Sequence, residues 1–99
     1  IQADTSHSQQ LLAERGVDSK EILEFISKAR EALAALHLPD PATTELQAEL
    51  NTLEAQANSP KPKGGIIRES LKSVRAILEG ASGNAVGEGL LTALRLLMG

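Results

Sequence analysis

Histidine, grouped carboxylates, a glycine-rich run and a concentration of lysine and arginine are the residue types from which this chain could build a site. His7 and His37 lie far apart, and neither stands near a second histidine or a carboxylate at a ligand spacing such as HExxH. His7 falls in a polar tail and His37 beside a helix end, where a cation meets the helix dipole favourably, so capping and solvent exposure are the expected roles. Glu21, Glu24, Glu45, Glu49 and Glu54 could be imagined as paired acids, yet they fall where a solvated helix face is expected. The run GASGNAVGEG has the glycine content of a phosphate loop. It follows a helical pattern rather than a strand, however, and lacks the GK[ST] ending that contacts nucleotide and magnesium. Lys61, Lys63, Arg68, Lys72 and Arg75 form the basic concentration. With no aromatic side chain nearby for base stacking, and a net charge of −3, nucleic-acid binding is the weaker reading of that run. No nucleophile-base pair, ligand cluster or cofactor loop emerges. The reading is therefore of a protein that is not an enzyme, with no catalytic residue, metal or cofactor expected.

The elements that hold these residues follow from composition. Ninety-nine residues bound the chain to one small domain with little stability to spare. Leucine and alanine supply most of the apolar content and Phe25 is the single aromatic, which favours helices over the β-branched and aromatic usage of sheets. An all-α fold is expected. Without cysteine there is neither a disulfide framework nor a thiolate metal site. Residues 1–59 carry ten acids against four Lys/Arg, and residues 60–99 carry six Lys/Arg against three acids, so the two halves should attract each other. The chain opens on Ile1 rather than methionine. That start is expected of a processed product or of a module cut from a longer protein, read here as a C-terminal module.

Residues 1–16 read as a flexible polar tail, with a short helical stretch over residues 8–15 stopping at Gly16. Residues 17–99 read as one helical domain. Asp18 and Glu21 stand at the spacing of an N-cap and its reciprocal partner, opening a helix whose seam is Ile22, Ile26, Ala29, Leu33 and Leu36 and which should end near Leu38. In LPDPATTEL, Asp40 is expected to cap a second helix and Pro41 to occupy its first turn. Leu46, Leu50, Leu53 and Ala57 repeat the seam, so residues 18–58 form an antiparallel hairpin. The prolines and glycines of residues 59–65 make a hinge that no helix crosses unbroken. A third helix begins at about Ile66. Ile67, Leu71, Val74 and Leu78 give it a matching seam, widened by Ile66 and Ile77, while Arg68, Lys72 and Arg75 are placed opposite the acidic hairpin.

Residues 76–99 carry Gly80, Gly83, Gly87 and Gly89 beside an almost unbroken apolar terminus. A helix running through all four would lose about 3–4 kcal/mol relative to alanine, so a break around residues 82–84 and a restart are expected. The restarted helix has Val86, Leu90, Leu91, Leu94, Leu97 and Met98 against only Glu88, Thr92 and Arg95, and such a helix is unstable facing water. It needs a covering surface. As a helix, residues 85–98 span about 21 Å, short of a hydrocarbon core of about 30 Å, and a longer span brings in Glu79 and Glu88. Spanning by a single copy is therefore disfavoured, but an oligomer could shield those carboxylates around a pore, so a membrane-active, pore-forming or membrane-associating segment is the alternative reading. The main expectation is a small helical bundle completed by oligomerisation. Its interaction residues would be Leu71, Val74, Leu78, Val86, Leu90, Leu91, Leu94, Leu97 and Met98, set against a homo-oligomer or a neighbouring domain. An adaptor binding a different protein through the same stripe uses the same physics.

Residues 59–91 also carry a resemblance. The Pro-Lys hinge, the helix start IIRESLKSVR and the run ILEGASGN resemble the terminal helical module of bacterial proteins associated with abortive infection and other anti-phage systems, the AbiTii-type proteins among them. The tail TSHSQQ is similar to the Ser/Gln-rich lead of such modules. The resemblance implies a bacterial, cytoplasmic accessory or oligomerisation region attached to a defence effector.

Overall fold

A computed structural model describes residues 18–81 and 83–98 of the chain, in which four helices run α1 (Ser19–Leu36), α2 (Asp40–Ala57), α3 (Gly64–Glu79) and α4 (Ala85–Met98). The expected tail and the short helix over residues 8–15 lie outside the described residues. Among the described residues there is no strand, and the fold is a small all-α bundle.

The seams of three helices bury as their spacing requires. Leu46, Leu50, Leu53 and Ala57 of α2 face Ile67, Leu71, Val74 and Leu78 of α3, and Ile22, Ile26, Ala29 and Leu36 of α1 complete that side of the core. Leu33 is half-buried, and Phe25, outside the four-three seam, is buried as well. Each large apolar side chain removed from water contributes about 1.5–3 kcal/mol, and this is the main force holding the helices together. Short connections make sequential helices antiparallel neighbours. α4 then packs against both α3 and α1, which closes the four helices into a ring around one core.

The ends of the helices are set by local chemistry. Asp18 caps α1, its carboxylate accepting the Lys20 amide at 3.2 Å, while Glu21 lies in the first turn where its charge suits the dipole. α1 ends at Leu36 because His37 turns into the left-handed region, φ 54° and ψ 41°, two residues earlier than expected. Pro39, not Asp40, is the N-cap of α2. Asp40 and Pro41 fall inside its first turn, with no side-chain cap, and the proline's missing amide is one that the first turn leaves unpaired anyway. α3 starts at Gly64, two residues before the expected Ile66, since the Lys63 carbonyl already accepts the Ile67 amide at 3.1 Å. Within the hinge, the Gln56 side chain accepts the Lys63 amide at 2.8 Å and the Ser59 hydroxyl accepts the Lys61 amide at 3.0 Å.

The break before α4 falls where the glycines predict it. The Gly80 and Ala81 amides reach back to Ile77 and Leu78 at 3.1 and 2.9 Å, tightening the end of α3, and the Asn84 amide then bonds to Ala81 at 3.0 Å. A Cβ on Gly87 would lie 2.5 Å from the Ala81 carbonyl oxygen, so only glycine permits α4 to start this close to the loop that precedes it.

Candidate functional site

His37 is exposed at the end of α1, and His7 lies outside the described residues. Among the described residues no group of three or more histidines, aspartates and glutamates gathers where a metal ion could sit. Glu21, Glu24 and Glu45 are exposed, Glu49 is half-buried, and Glu54 is held by α1. Its carboxylate accepts from the Arg30 guanidinium at 2.9 Å, and the same nitrogen donates to Asn51 Oδ1 at 2.8 Å. That hydrogen bond, with the attraction between the charges, holds the Glu54 carboxyl below its ordinary value.

Among the described residues the expected attraction between the acidic and basic halves is not made through paired side chains. Among the described residues the ion pairs are Arg30 with Glu54, Lys72 with Glu69 at 3.9 Å and Arg75 with Glu79 at 3.1 Å, each within its own half. Lys61, Lys63, Arg68, Lys72 and Arg75 are all exposed. The helices meet through apolar seams, which turns both sets of charges outward.

The interaction residues expected from sequence are mostly placed in the interior. Leu71, Val74, Leu78, Leu90, Leu91, Leu94 and Leu97 are buried in the core of their own chain, and Val86 and Met98 are half-buried beside it. The apolar terminus is covered, as its composition requires. α1 and α3 of the same chain supply that cover, and these leucines pack in its core.

What α4 leaves outside is different. Leu96, absent from the expected set, is 78% exposed, and Ile66 at the start of α3 is 39% exposed. Along the outer face of α4 run Ala85, Gly89, Thr92 and Leu96, all exposed and uncharged, with Glu88 and Arg95 along one flank. A count of 100° per residue finds this face in the sequence, because Leu96 lies roughly opposite Leu94 and about 100° from Leu97. On the α1 side Leu96 and Ala93 share a shallow depression with Glu21, Glu24 and Lys28. On the α3 side Arg95 and Arg75 border a groove floored by Leu91, Leu94 and Met98.

No family model, curated protein or solved structure matches the chain. Among the described residues no helix is long and apolar enough to cross a membrane.

Proposed function

We propose that the chain is a non-catalytic helical module that associates with copies of itself and so brings attached domains together. The observation that carries this reading is Leu96, a large apolar side chain left 78% exposed on a helix whose other leucines are buried. A single exposed leucine is ordinary on a protein surface, and it is the setting that counts. Leu96 lies on the same face as Ala85, Gly89 and Thr92, a surface without charge or bulk that lets another backbone approach closely. Joining modules in a closed symmetric assembly raises the effective concentration of whatever is attached to them. The resemblance carried by residues 59–91 supports a setting in a bacterial anti-phage defence protein, in the cytoplasm. Sedimentation velocity from about 1 to 100 μM, a range in which weak to moderate dimers form, tests the association. A concentration-dependent dimer or larger species is expected, and a fully helical monomer throughout would overturn the reading.

A further inference from the structure

We infer that the outer face of α4 docks on the same face of a second copy, with the two helices antiparallel about a two-fold axis level with residues 91 and 92. This rests on the self-association reading and adds the surface, the orientation and the contacts.

Charge complementarity carries the argument. Glu88 and Arg95 are the charged residues of α4, and neither has an ion-pair partner among the described residues. They lie two turns apart on one flank of the exposed face, about 10 Å along the axis, too far to pair with each other. Turning a second copy about the two-fold keeps that flank on the same side and reverses its direction. Glu88 of each copy then meets Arg95 of the other. A parallel pair, turned about an axis along the helices, would carry that flank to opposite sides of the contact in the two copies and leave Glu88 and Arg95 facing the uncharged flank of Ala93 and Leu97.

The surroundings strengthen the preference. Arg95 borders the groove together with Arg75, and Arg75 already donates to Glu79 at 3.1 Å. With Arg75 and Glu79 paired to each other, Arg95 is the cation left at that edge for an incoming carboxylate.

The same axis settles the apolar contacts. It brings Leu96 of one copy level with residue 87 of the other, in the gap between Ala85 and Gly89. A Cβ built on Gly89 meets nothing within 4 Å, so the space above it is open to a side chain arriving from outside. Leu96 is the knob and the two small residues are the hole, twice over by symmetry. Thr92 faces its own symmetry mate near the axis.

The test uses the full chain in sedimentation velocity, with circular dichroism to confirm folding of each variant. Leu96→Asp is expected to give a helical monomer. Glu88→Arg and Arg95→Glu should each weaken the dimer about tenfold or more by placing like charges together, and the variant carrying both should recover to within about threefold of the parent. Since the chain has no cysteine, Thr92→Cys supplies a single thiol, and mild oxidation should yield a covalent dimer. A parent protein that stays monomeric overturns both self-association and this geometry. A dimer indifferent to Leu96→Asp and to the single reversals overturns only the geometry, as does a double reversal that fails to recover or a Thr92→Cys protein that fails to cross-link.

Discussion

The side chain of Asn84 ties the start of α4 to the end of α1 by donating from Nδ2 to the Ala35 carbonyl at 2.8 Å. Its Oδ1 meanwhile accepts the Val86 and Gly87 amides at 2.7 and 3.3 Å, as an N-cap does. One residue thus satisfies a carbonyl at a helix C-terminus and amides at a helix N-terminus, where neither has a partner within its own helix.

Asn84→Ala removes both halves of this tie. A loss of about 1–2 kcal/mol is expected, the upper part of the range for a lost cap. Asn84→Asp separates the halves, because it keeps the cap for α4 but sets a carboxylate against the Ala35 carbonyl. In urea denaturation it should fall between the parent and Asn84→Ala. Equal stability of all three proteins would show that the tie is not used.

The glycines of α4 predict opposite signs from the same substitution. Gly87→Ala must displace the Ala81 backbone, and overpacking of this kind costs about 1–3 kcal/mol. Gly89→Ala meets open space in a helix interior and should stabilise the fold by about 0.5–1 kcal/mol. Thermal unfolding in dilute solution, where association does not contribute, separates the two.

His37 holds a left-handed conformation that costs a residue with a Cβ about 1 kcal/mol or more. The site is one that glycine usually fills at the end of a helix. His37→Gly is therefore expected to raise stability by about 1 kcal/mol, or about 4–8 °C in Tm for a domain of this size. A lower Tm would mean that the imidazole makes a contribution exceeding its backbone strain.

Leu94 and Leu96 are two residues apart and should respond in opposite ways. Leu94 is 1% exposed, so Leu94→Asp places an unpaired carboxylate in the core and is expected to abolish cooperative folding. In dilute solution, where association does not contribute, Leu96→Asp should keep the helical content and an unfolding free energy within about 0.5 kcal/mol of the parent, as for most exposed sites. Circular dichroism with urea titration reads both. Loss of the fold in Leu96→Asp would place that side chain in the core.

Three seams were legible in the sequence because a four-three repeat is a local signal that survives whatever the helix packs against. Leu46, Leu50, Leu53 and Ala57, and Ile67, Leu71, Val74 and Leu78, are buried as read. Phe25 escaped because it sits beside Ile26 on a broader stripe than a strict seam. α4 escaped for the opposite reason. With apolar residues nearly all round, periodicity alone does not say which side faces inward, and the answer depends on α1 and α3 arriving from elsewhere in the chain. That is why spacing alone does not separate Leu90, Leu91, Leu94 and Leu97, which are covered by α1 and α3, from Leu96, which stays exposed. The tie from Asn84 to Ala35 joins distant positions and leaves no mark in local spacing. Helix starts shifted by one or two residues at Asp40 and Gly64, within the usual spread of helix boundaries.

Arg30 and Glu54 give the fold a dependence on pH whose sign is fixed. The hydrogen bond from Arg30, and secondarily its charge, hold the Glu54 carboxyl below its ordinary value. A carboxyl with a lowered folded-state value binds its proton more weakly in the folded protein than in the unfolded one. Its contribution is complete above the unfolded value and is lost as pH falls through the folded one. Glu54→Gln should therefore be less stable than the parent at neutral pH, and the gap should narrow through the acidic range and vanish once Glu54 is protonated in both states. Added salt should shrink the neutral-pH gap, since the pair is largely open to solvent. Urea midpoints of the two proteins at stepped pH provide the measurement. A gap that stays constant into acid would assign the effect of Glu54 to packing of its side chain on α1, with the ion pair contributing nothing.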